Sequence, residues 1–254
     1  MSSNTWMPDE LSSSAKPSSG TCWRVVEVQH VVSTAKITDT HAEQAIIESL
    51  IDETKPFIPA ECEHLSYLLH TPFRYRSILQ GSRFRRAYSI EGVFYSSEVV
   101  ETAVAEMAFY RLLFFAESPA TPWPANPGEY TAFEAGFATQ AAIDLTQPPL
   151  SAGRGDWTNL ADYTACQQLA DAARESGIDV IRYESVREPH HRANLAILRC
   201  RAFAQPKEIS RQTWRFQIDS AGLRAICEAP PQTLAFDKHA FSADPRLAGF
   251  KWDR

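Results

Sequence analysis

Glu106 is the residue of this 254-residue chain whose position most clearly suggests chemistry. The run Ser97–Phe115 predicts a helix, and Glu106 falls on the face shared by Ala103 and Tyr110. A carboxylate there is expected to be partly buried. Because a buried acid needs a partner, a carboxylate in a cleft beside a cation is a candidate functional group. The alternative is an acid at the edge of the apolar stripe, paired with Arg111 or another base.

Arg83 is the second candidate. It lies between Gly81 and Phe84, in a loop that leads into a predicted strand. A guanidinium in such a loop can bind a phosphate through two parallel hydrogen bonds. Arg85 and Arg86 follow directly, and any of these arginines can instead be an ordinary surface charge.

Four further residues are weaker candidates. Tyr95 lies in the predicted strand before the Glu106 helix, where its ring either stacks on a ligand or fills the core. Arg74 and Tyr75 follow a proline and suit either a phosphate-binding edge or an ordinary loop. Ser185 follows a predicted strand, at a place where polar loop residues commonly contact ligands.

The sequence lacks the glycine-rich dinucleotide motif, the P-loop, the zinc-protease helix motif and the serine-hydrolase elbow. Their absence removes the commonest nucleotide, metal and acyl-transfer sites. His190 and His191 are adjacent in a charged loop, where histidines are more often exposed than metal-bound, so no metal is expected. The five cysteines form no Cys-x-x-Cys pair, which indicates a reducing compartment and argues against a structural zinc.

The elements that must position these side chains follow from the residue pattern. Strands outnumber helices and do not alternate with them regularly, so the sequence predicts an α+β fold. The predicted strands are Cys22–Ser33, Gly92–Ser96, Tyr130–Thr139, Ala142–Leu145, Ile178–Tyr183, Asn194–Phe203 and Thr213–Asp219. The predicted helices are Thr40–Glu53, Ser97–Phe115 and Asp162–Ser176.

The first of these helices begins with the Thr-x-x-Glu pattern of a capping box, Thr40 to Glu43. Its apolar positions are Ile46, Ile47, Leu50 and Ile51. Because they form one face, we expect the helix to pack on the body of the protein, and the alternative is that the face is a docking surface for a partner protein.

Composition limits the class of protein. With 44% hydrophobic residues, the chain can fill the core of one large domain, and its net charge of −6 gives no overall reason to bind nucleic acid or an anionic membrane. Residues 1–20 are rich in Ser, Pro and Thr and lack the features of a signal peptide, so they predict a disordered tail. No apolar run approaches the roughly 18 residues of a membrane span, so a cytoplasmic protein without a membrane partner is expected.

Taken in order, the candidate positions resemble the RES family, which is named for an arginine, a glutamate and a serine. Phe84 stands where the family usually has tryptophan. The matching segments are Gly81-Ser-Arg83-Phe for the arginine loop, Val93-Phe-Tyr95-Ser for the strand tyrosine, Ala103-Val-Ala-Glu106 for the helix glutamate, and Tyr183-Glu-Ser185-Val-Arg187 with Asn194-Leu195 for the serine segment. Trp23-Arg24, the helix after it and Pro72-Phe-Arg74-Tyr75 are similar to a longer subgroup with an N-terminal helical segment.

The resemblance implies a fold similar to the ADP-ribosyltransferases, with mixed or antiparallel central sheets and flanking helices. It also implies that NAD is the substrate and that the protein is a toxin cleaving the nicotinamide–ribose bond by hydrolysis or phosphorolysis. Transfer of ADP-ribose to a cellular protein is the first alternative, and a non-catalytic NAD-binding module is the second. Family members of this kind are held by an antitoxin, often with an Xre-type DNA-binding domain. Self-association is left open.

The same resemblance implies roles for the candidates. Glu106 stabilises the charge on the ribose or holds its 2′-hydroxyl, Arg83 binds the pyrophosphate, and Tyr95 meets the nicotinamide–ribose end. Arg74 and Tyr75 complete the pocket. Ser185 orients nicotinamide or a ribose hydroxyl.

The expected domain organisation follows from the tail and the resemblance together. Residues 1–20 form the tail and residues 21–254 the RES domain. Within that domain, residues 21–72 form an N-terminal strand and helical segment, and residues 73–228 form the core.

Overall fold

The computed structural model describes residues 6–28, 38–75 and 81–252. The strands are β1 (Lys16–Glu27), β2 (Phe94–Ser97), β3 (Gly128–Asp144), β4 (Val180–Glu184), β5 (Ala193–Ile197), β6 (Ser210–Asp219), β7 (Gly222–Glu228) and β8 (Pro231–Asp237). The helices are α1 (Pro8–Ser14), α2 (His41–Thr54), α3 (Tyr67–Arg74), α4 (Val100–Glu117), α5 (Arg154–Trp157) and α6 (Thr164–Glu175). This mixture confirms the predicted α+β class.

All eight strands belong to one sheet, in the order β1-β2-β5-β4-β3-β6-β7-β8. β1 also pairs with β3, from Lys16 opposite Ala142 to Glu27 opposite Tyr130. This second pairing closes β1, β2, β5, β4 and β3 into a ring, and β6, β7 and β8 extend from β3 as an antiparallel meander. β3 and β4 run parallel, whereas the other neighbours are antiparallel, so the sheet is mixed.

Helix α4 is the element that carries Glu106. Its apolar residues are numerous and are buried on more than one side, including Val104, Ala108, Phe109 and Leu112. They share a core cluster with side chains of β6 and β7. Packing of this extent fixes the helix axis and its rotation, so the backbone under Glu106 is rigidly placed.

Helix α2 confirms one prediction and contradicts another. The Thr40 hydroxyl accepts a hydrogen bond from the Glu43 amide at 3.2 Å, and the Glu43 carboxylate accepts one from the Thr40 amide at 3.2 Å, as in a capping box. The apolar face does not pack on the body, because Ile46 is 59% exposed and Leu50 54% exposed. The capping box depends only on neighbouring residues, whereas burial of the apolar face depends on tertiary contacts with the rest of the chain.

The predicted tail is a further correction. Residues 6–20 contain α1 and the first part of β1, and Leu11 is fully buried. α1 packs against α6, and β1 pairs with β3 along almost its whole length. The Ser- and Pro-rich composition is tolerated because partner strands supply the backbone hydrogen bonds, whatever the side chains. Residues 1–5 lie outside the described residues.

Long-range pairing also explains the other differences from the predicted strands. Tyr130–Thr139 and Ala142–Leu145 are parts of one strand, β3, because β1 pairs across the gap between them. β7 and β8 are strands that were not predicted from the sequence. The end of the first predicted strand, residues 29–33, lies outside the described residues.

Cys62 and Cys200 form a disulfide, although they lie 138 residues apart. Such a bond is uncommon in a reducing compartment, so it counts against the compartment expected from the cysteine spacing. Cys22, Cys166 and Cys227 are buried free thiols. The positions of the cysteines in the sequence do not predict this disulfide. It depends on the tertiary contact between the two short helical turns that contain Cys62 and Cys200.

Within the three described segments, no helix is both long and apolar enough to cross a membrane.

Candidate active site

A cavity of about 330 Å³ lies beside α4, β1 and β2, and its size falls within the range of small-molecule sites. Among the described residues that line it, the charged ones are three arginines and one carboxylate: Arg24, Arg83, Arg187 and Glu106. Tyrosine rings form much of the remaining wall. The excess of cations suits an anionic ligand, and the rings suit a ligand with flat groups.

Glu106 is the acid of this cavity, with 19% of its side chain exposed. Its Oε1 accepts hydrogen bonds from Ser185 Oγ at 2.7 Å and Asn194 Nδ2 at 2.7 Å. Its Oε2 accepts one from Arg187 Nη1 at 3.1 Å. Three donors from two distant segments therefore fix the carboxylate in one orientation.

The partner of Glu106 is not Arg111, the base that sequence reasoning considered first. Arg111 instead pairs with Glu27, at 4.0 Å. Arg187, which has 6% of its side chain exposed, lies with its guanidinium 4.1 Å from the centre of the Phe109 ring. Burial by itself lowers the pKa of Arg187, but the charge of Glu106 and the neighbouring tyrosine hydroxyls outweigh burial and raise the net pKa.

Arg83 lines the same cavity and is 5% exposed. Its Nη1 donates to the Trp157 carbonyl at 2.6 Å, and its guanidinium lies 4.8 Å from the centre of the Tyr163 ring. Its Nη2 is buried and has no hydrogen-bond partner among the described residues. A buried donor without a partner is costly, so an acceptor oxygen that reached this nitrogen would be stabilising.

Tyr95 holds the Arg83 loop as well as lining the cavity. Its hydroxyl lies 2.8 Å from Ser82 Oγ and accepts a hydrogen bond from the Phe84 amide at 2.9 Å. Burial raises the pKa of Tyr95 to about 12, so the hydroxyl is neutral at physiological pH. The structure thus links two predicted site residues, Tyr95 and Arg83, through the loop backbone.

Ser185 occupies a different place from the one predicted. It is fully buried behind Glu106 and does not line the cavity. Its Oγ donates to Glu106 and accepts hydrogen bonds from the amides of Arg187 and Glu188, at 3.4 and 3.2 Å. The hydroxyl is therefore saturated and orients the carboxylate, whereas the sequence analysis expected it to contact the ligand.

Arg74 and Tyr75 do not join the site, contrary to the expectation that they complete the pocket. Arg74 is the last residue of α3 and donates to the Pro56 carbonyl. Tyr75 is 37% exposed, and its carbonyl accepts a hydrogen bond from Arg85 Nη2 at 2.5 Å. Neither residue is among those that line the cavity, and an arginine of β1 lines it instead.

That arginine is Arg24, which sequence reasoning matched to the family without giving it a role. Its Nη1 donates to the Tyr95 carbonyl at 2.7 Å, and its guanidinium lies 5.1 Å from the centre of the Phe94 ring. Burial lowers the pKa of Arg24 to about 10, which still leaves it charged at neutral pH. The available sequence signal was a lone arginine inside the Val-rich strand segment CWRVV.

Sequence reasoning also assigned no role to Tyr163, Arg187 or Asn194. Arg187 and Asn194 stand in the segment that resembles the family's serine region, but nothing in their spacing shows that both would meet Glu106. Tyr163 precedes α6 and joins the site through its hydroxyl, which accepts a hydrogen bond from Arg187 Nη2 at 2.9 Å. Only the folded chain brings these three together.

Comparison with known proteins places the chain in a family. A search of curated proteins found no match. Among solved structures, the chain is similar to one described as "Crystal structure of the M.tuberculosis MbcT-MbcA toxin-antitoxin complex", with a TM-score of 0.48 and 12% sequence identity over 93% of this chain and 95% of that chain. The family model described as RES domain matches residues 58–219, which is more than half of the chain. The chain therefore belongs to the RES domain family.

Proposed function

We propose that this protein is a RES-family toxin that cleaves the nicotinamide–ribose bond of NAD, with water or phosphate as the acceptor of ADP-ribose. The observation that carries the proposal is the Glu106 carboxylate, fixed at the cavity by three hydrogen bonds. Membership of the RES family supports NAD as the substrate.

The chemistry fits a fixed carboxylate. As the bond between ribose C1′ and the nicotinamide nitrogen breaks, its electron pair stays with nicotinamide, which leaves as a neutral ring. Positive charge develops on the ribose, as in other glycosyl transfers. Glu106 stabilises that charge, and its orientation is set before the reaction begins. An oxygen of water or phosphate then forms the new bond to C1′, and an attacking water gives up its extra proton to the solvent.

The arginines fit the rest of the substrate. We assign Arg83 to the pyrophosphate, which carries negative charge and several acceptor oxygens, because Arg83 lines the cavity and its Nη2 has no hydrogen-bond partner among the described residues. Arg24 adds a second, half-buried positive charge to the same wall. Tyr95 keeps the Arg83 loop in place through the Phe84 amide, and we assign its ring to the nicotinamide–ribose end because Tyr95 lines the same cavity.

We also propose that the RES domain of this protein extends beyond the matched residues 58–219 in both directions. β1 precedes the match, pairs with β3 and contributes Arg24 to the cavity. β7 and β8 follow it and continue the same sheet. These pairings support the predicted domain of residues 21–254, and the contacts of α1 and early β1 bring residues 6–20 into it.

A partner follows from the proposed reaction, because a cell that makes an enzyme consuming NAD must be able to silence it. We propose an antitoxin that covers the cavity and carries an Xre-type DNA-binding domain, as the family resemblance implies. The net charge of −6 leaves DNA contact to the partner.

The test is to incubate the purified protein with NAD and to follow free nicotinamide. The reaction is run with and without phosphate, and with candidate acceptor proteins. Release in plain buffer indicates hydrolysis, and release that depends on phosphate indicates phosphorolysis. Labelling of an acceptor would favour ADP-ribosyl transfer instead. Binding of NAD without release would contradict the proposed enzyme and favour a binding module.

A further inference from the structure

A chain of hydrogen bonds reaches the cavity from the turn segment Asp244–Arg246, which follows β8. Arg246 donates two side-chain hydrogen bonds to the Asp244 carboxylate, from Nε at 2.9 Å and from Nη2 at 2.7 Å. The same Nη2 donates to the Leu160 carbonyl at 3.0 Å and to the Tyr163 hydroxyl at 3.2 Å. Arg246 therefore connects the C-terminal turn segment to Tyr163, the residue just before α6.

The Tyr163 hydroxyl is the centre of this arrangement. It accepts hydrogen bonds from Arg246 and, at 2.9 Å, from Arg187, and it donates to the Leu160 carbonyl at 3.2 Å. Every hydrogen-bonding position of the hydroxyl is thus used. The Tyr163 ring at the same time faces the Arg83 guanidinium. One side chain consequently contacts three arginines, two of which line the cavity.

Phe109 and Asp244 complete the packing around the two guanidiniums. Arg187 lies 4.1 Å and Arg246 lies 5.1 Å from the centre of the Phe109 ring. Two cations so close to one ring repel each other unless an anion compensates them. Asp244, with 3% of its side chain exposed, is such an anion. Burial raises its pKa, but its hydrogen bonds to Arg246 and the charges of Arg246 and Arg187 outweigh burial and lower the net pKa.

We propose that Arg246, held by Asp244, is a positioning residue for the active site. It fixes the Tyr163 hydroxyl, which fixes Arg187, which in turn holds Oε2 of Glu106. The inference rests on the proposed function, because its consequence is a rate. It also gives a role to residues well beyond position 219, where the RES match ends.

The test is a double-mutant cycle with Arg246→Ala and Tyr163→Phe, followed by nicotinamide release from NAD. Tyr163→Phe removes the hydroxyl and keeps the ring that faces Arg83, so the KM for NAD should change little. Each single variant should lower kcat by about tenfold, which is less than the roughly 10²-fold loss that a 1 Å misplacement can cause. The double variant should be no slower than the slower single variant, because both changes break the same connection.

Two further variants separate positioning from general stability. Arg246→Lys keeps the charge but loses the forked contact, so it should also lower kcat, and it carries the test if Arg246→Ala does not fold. Arg224→Ala is the matched control, because the Arg224 side chain is 54% exposed on the β6–β7 hairpin. Its Nη2 lies 3.8 Å from Asp219 Oδ2, so it also pairs with an aspartate. It should leave kcat unchanged. Thermal unfolding of each variant shows whether the amount of folded enzyme accounts for any loss.

The possible outcomes are distinct. A kcat within about twofold of wild type in both Arg246 variants would overturn the inference, as would losses that multiply to about a hundredfold in the double variant. Absence of nicotinamide release by the wild-type protein would contradict the proposed function, and the positioning role would fall with it.

Discussion

At the scale of single residues, the strongest expectation concerns Glu106. Glu106→Gln keeps the shape of the side chain but removes the charge, so nicotinamide release should fall by roughly 10²–10³ while the fold is retained. Glu117→Gln is the matched control, because Glu117 is exposed at the end of the same helix. Circular dichroism checks the fold. More than about a tenth of the wild-type rate in Glu106→Gln would remove Glu106 from its main electrostatic role.

Arg83 and Arg86 give a second prediction at this scale. Arg83→Lys should weaken NAD binding much more than Arg86→Lys, because a lysine cannot reproduce the forked contact of a buried guanidinium. Arg86 pairs with Asp171 at 2.6 Å and has 47% of its side chain exposed, so its loss should matter little. Calorimetry in the Glu106→Gln background measures both Kd values without turnover. Equal weakening would show that Arg83 is not the pyrophosphate ligand.

At the scale of elements, helices α1 and α2 differ in how far their apolar side chains are buried. Leu11 of α1 is fully buried, so Leu11→Ala should lower the free energy of unfolding by about 2–5 kcal/mol. Ile46→Ala is the control, because Ile46 of α2 is 59% exposed and its truncation should cost less than about 0.5 kcal/mol. Urea denaturation measures both values. A tail that was disordered at residues 6–15 would give no loss for Leu11→Ala.

The exposed face of α2 also bears on the partner. Sequence reasoning weighed core packing of Ile46, Ile47, Leu50 and Ile51 against a docking surface for an antitoxin. The exposure of Ile46, Leu50 and Ile51 contradicts core packing. Docking of the antitoxin on this face stays a prediction.

At the scale of the whole molecule, the proposed function predicts a phenotype. Expression of this chain alone in a bacterial host should deplete NAD and stop growth, because nothing then covers the cavity. The Glu106→Gln variant, expressed to the same level, should relieve both effects. NAD concentration and culture density are measured together. Normal growth and normal NAD with abundant soluble wild-type protein would contradict the toxin proposal.

The sequence by itself determined the features that depend on neighbours along the chain. The α+β class, the α2 capping box and the long helix bearing Glu106 follow from local periodicity and end signals, which act over a few residues. The same local patterns selected Glu106, Arg83 and Tyr95, and the structure places all three around one cavity. The family resemblance supplied the proposed substrate, NAD, which no spacing indicates.

Only the tertiary structure decided what those residues touch. Arg187 meets Glu106 across 81 positions of sequence, Arg246 meets Tyr163 across 83, and Arg24 meets Tyr95 across 71. Ser185 hydrogen-bonds to Glu106 and does not line the cavity, and Arg74 and Tyr75 do not line it either. The positions of these three residues are set by helix ends and strand pairings. Contacts between distant segments depend on how the whole chain packs, and a local sequence pattern carries no record of that packing.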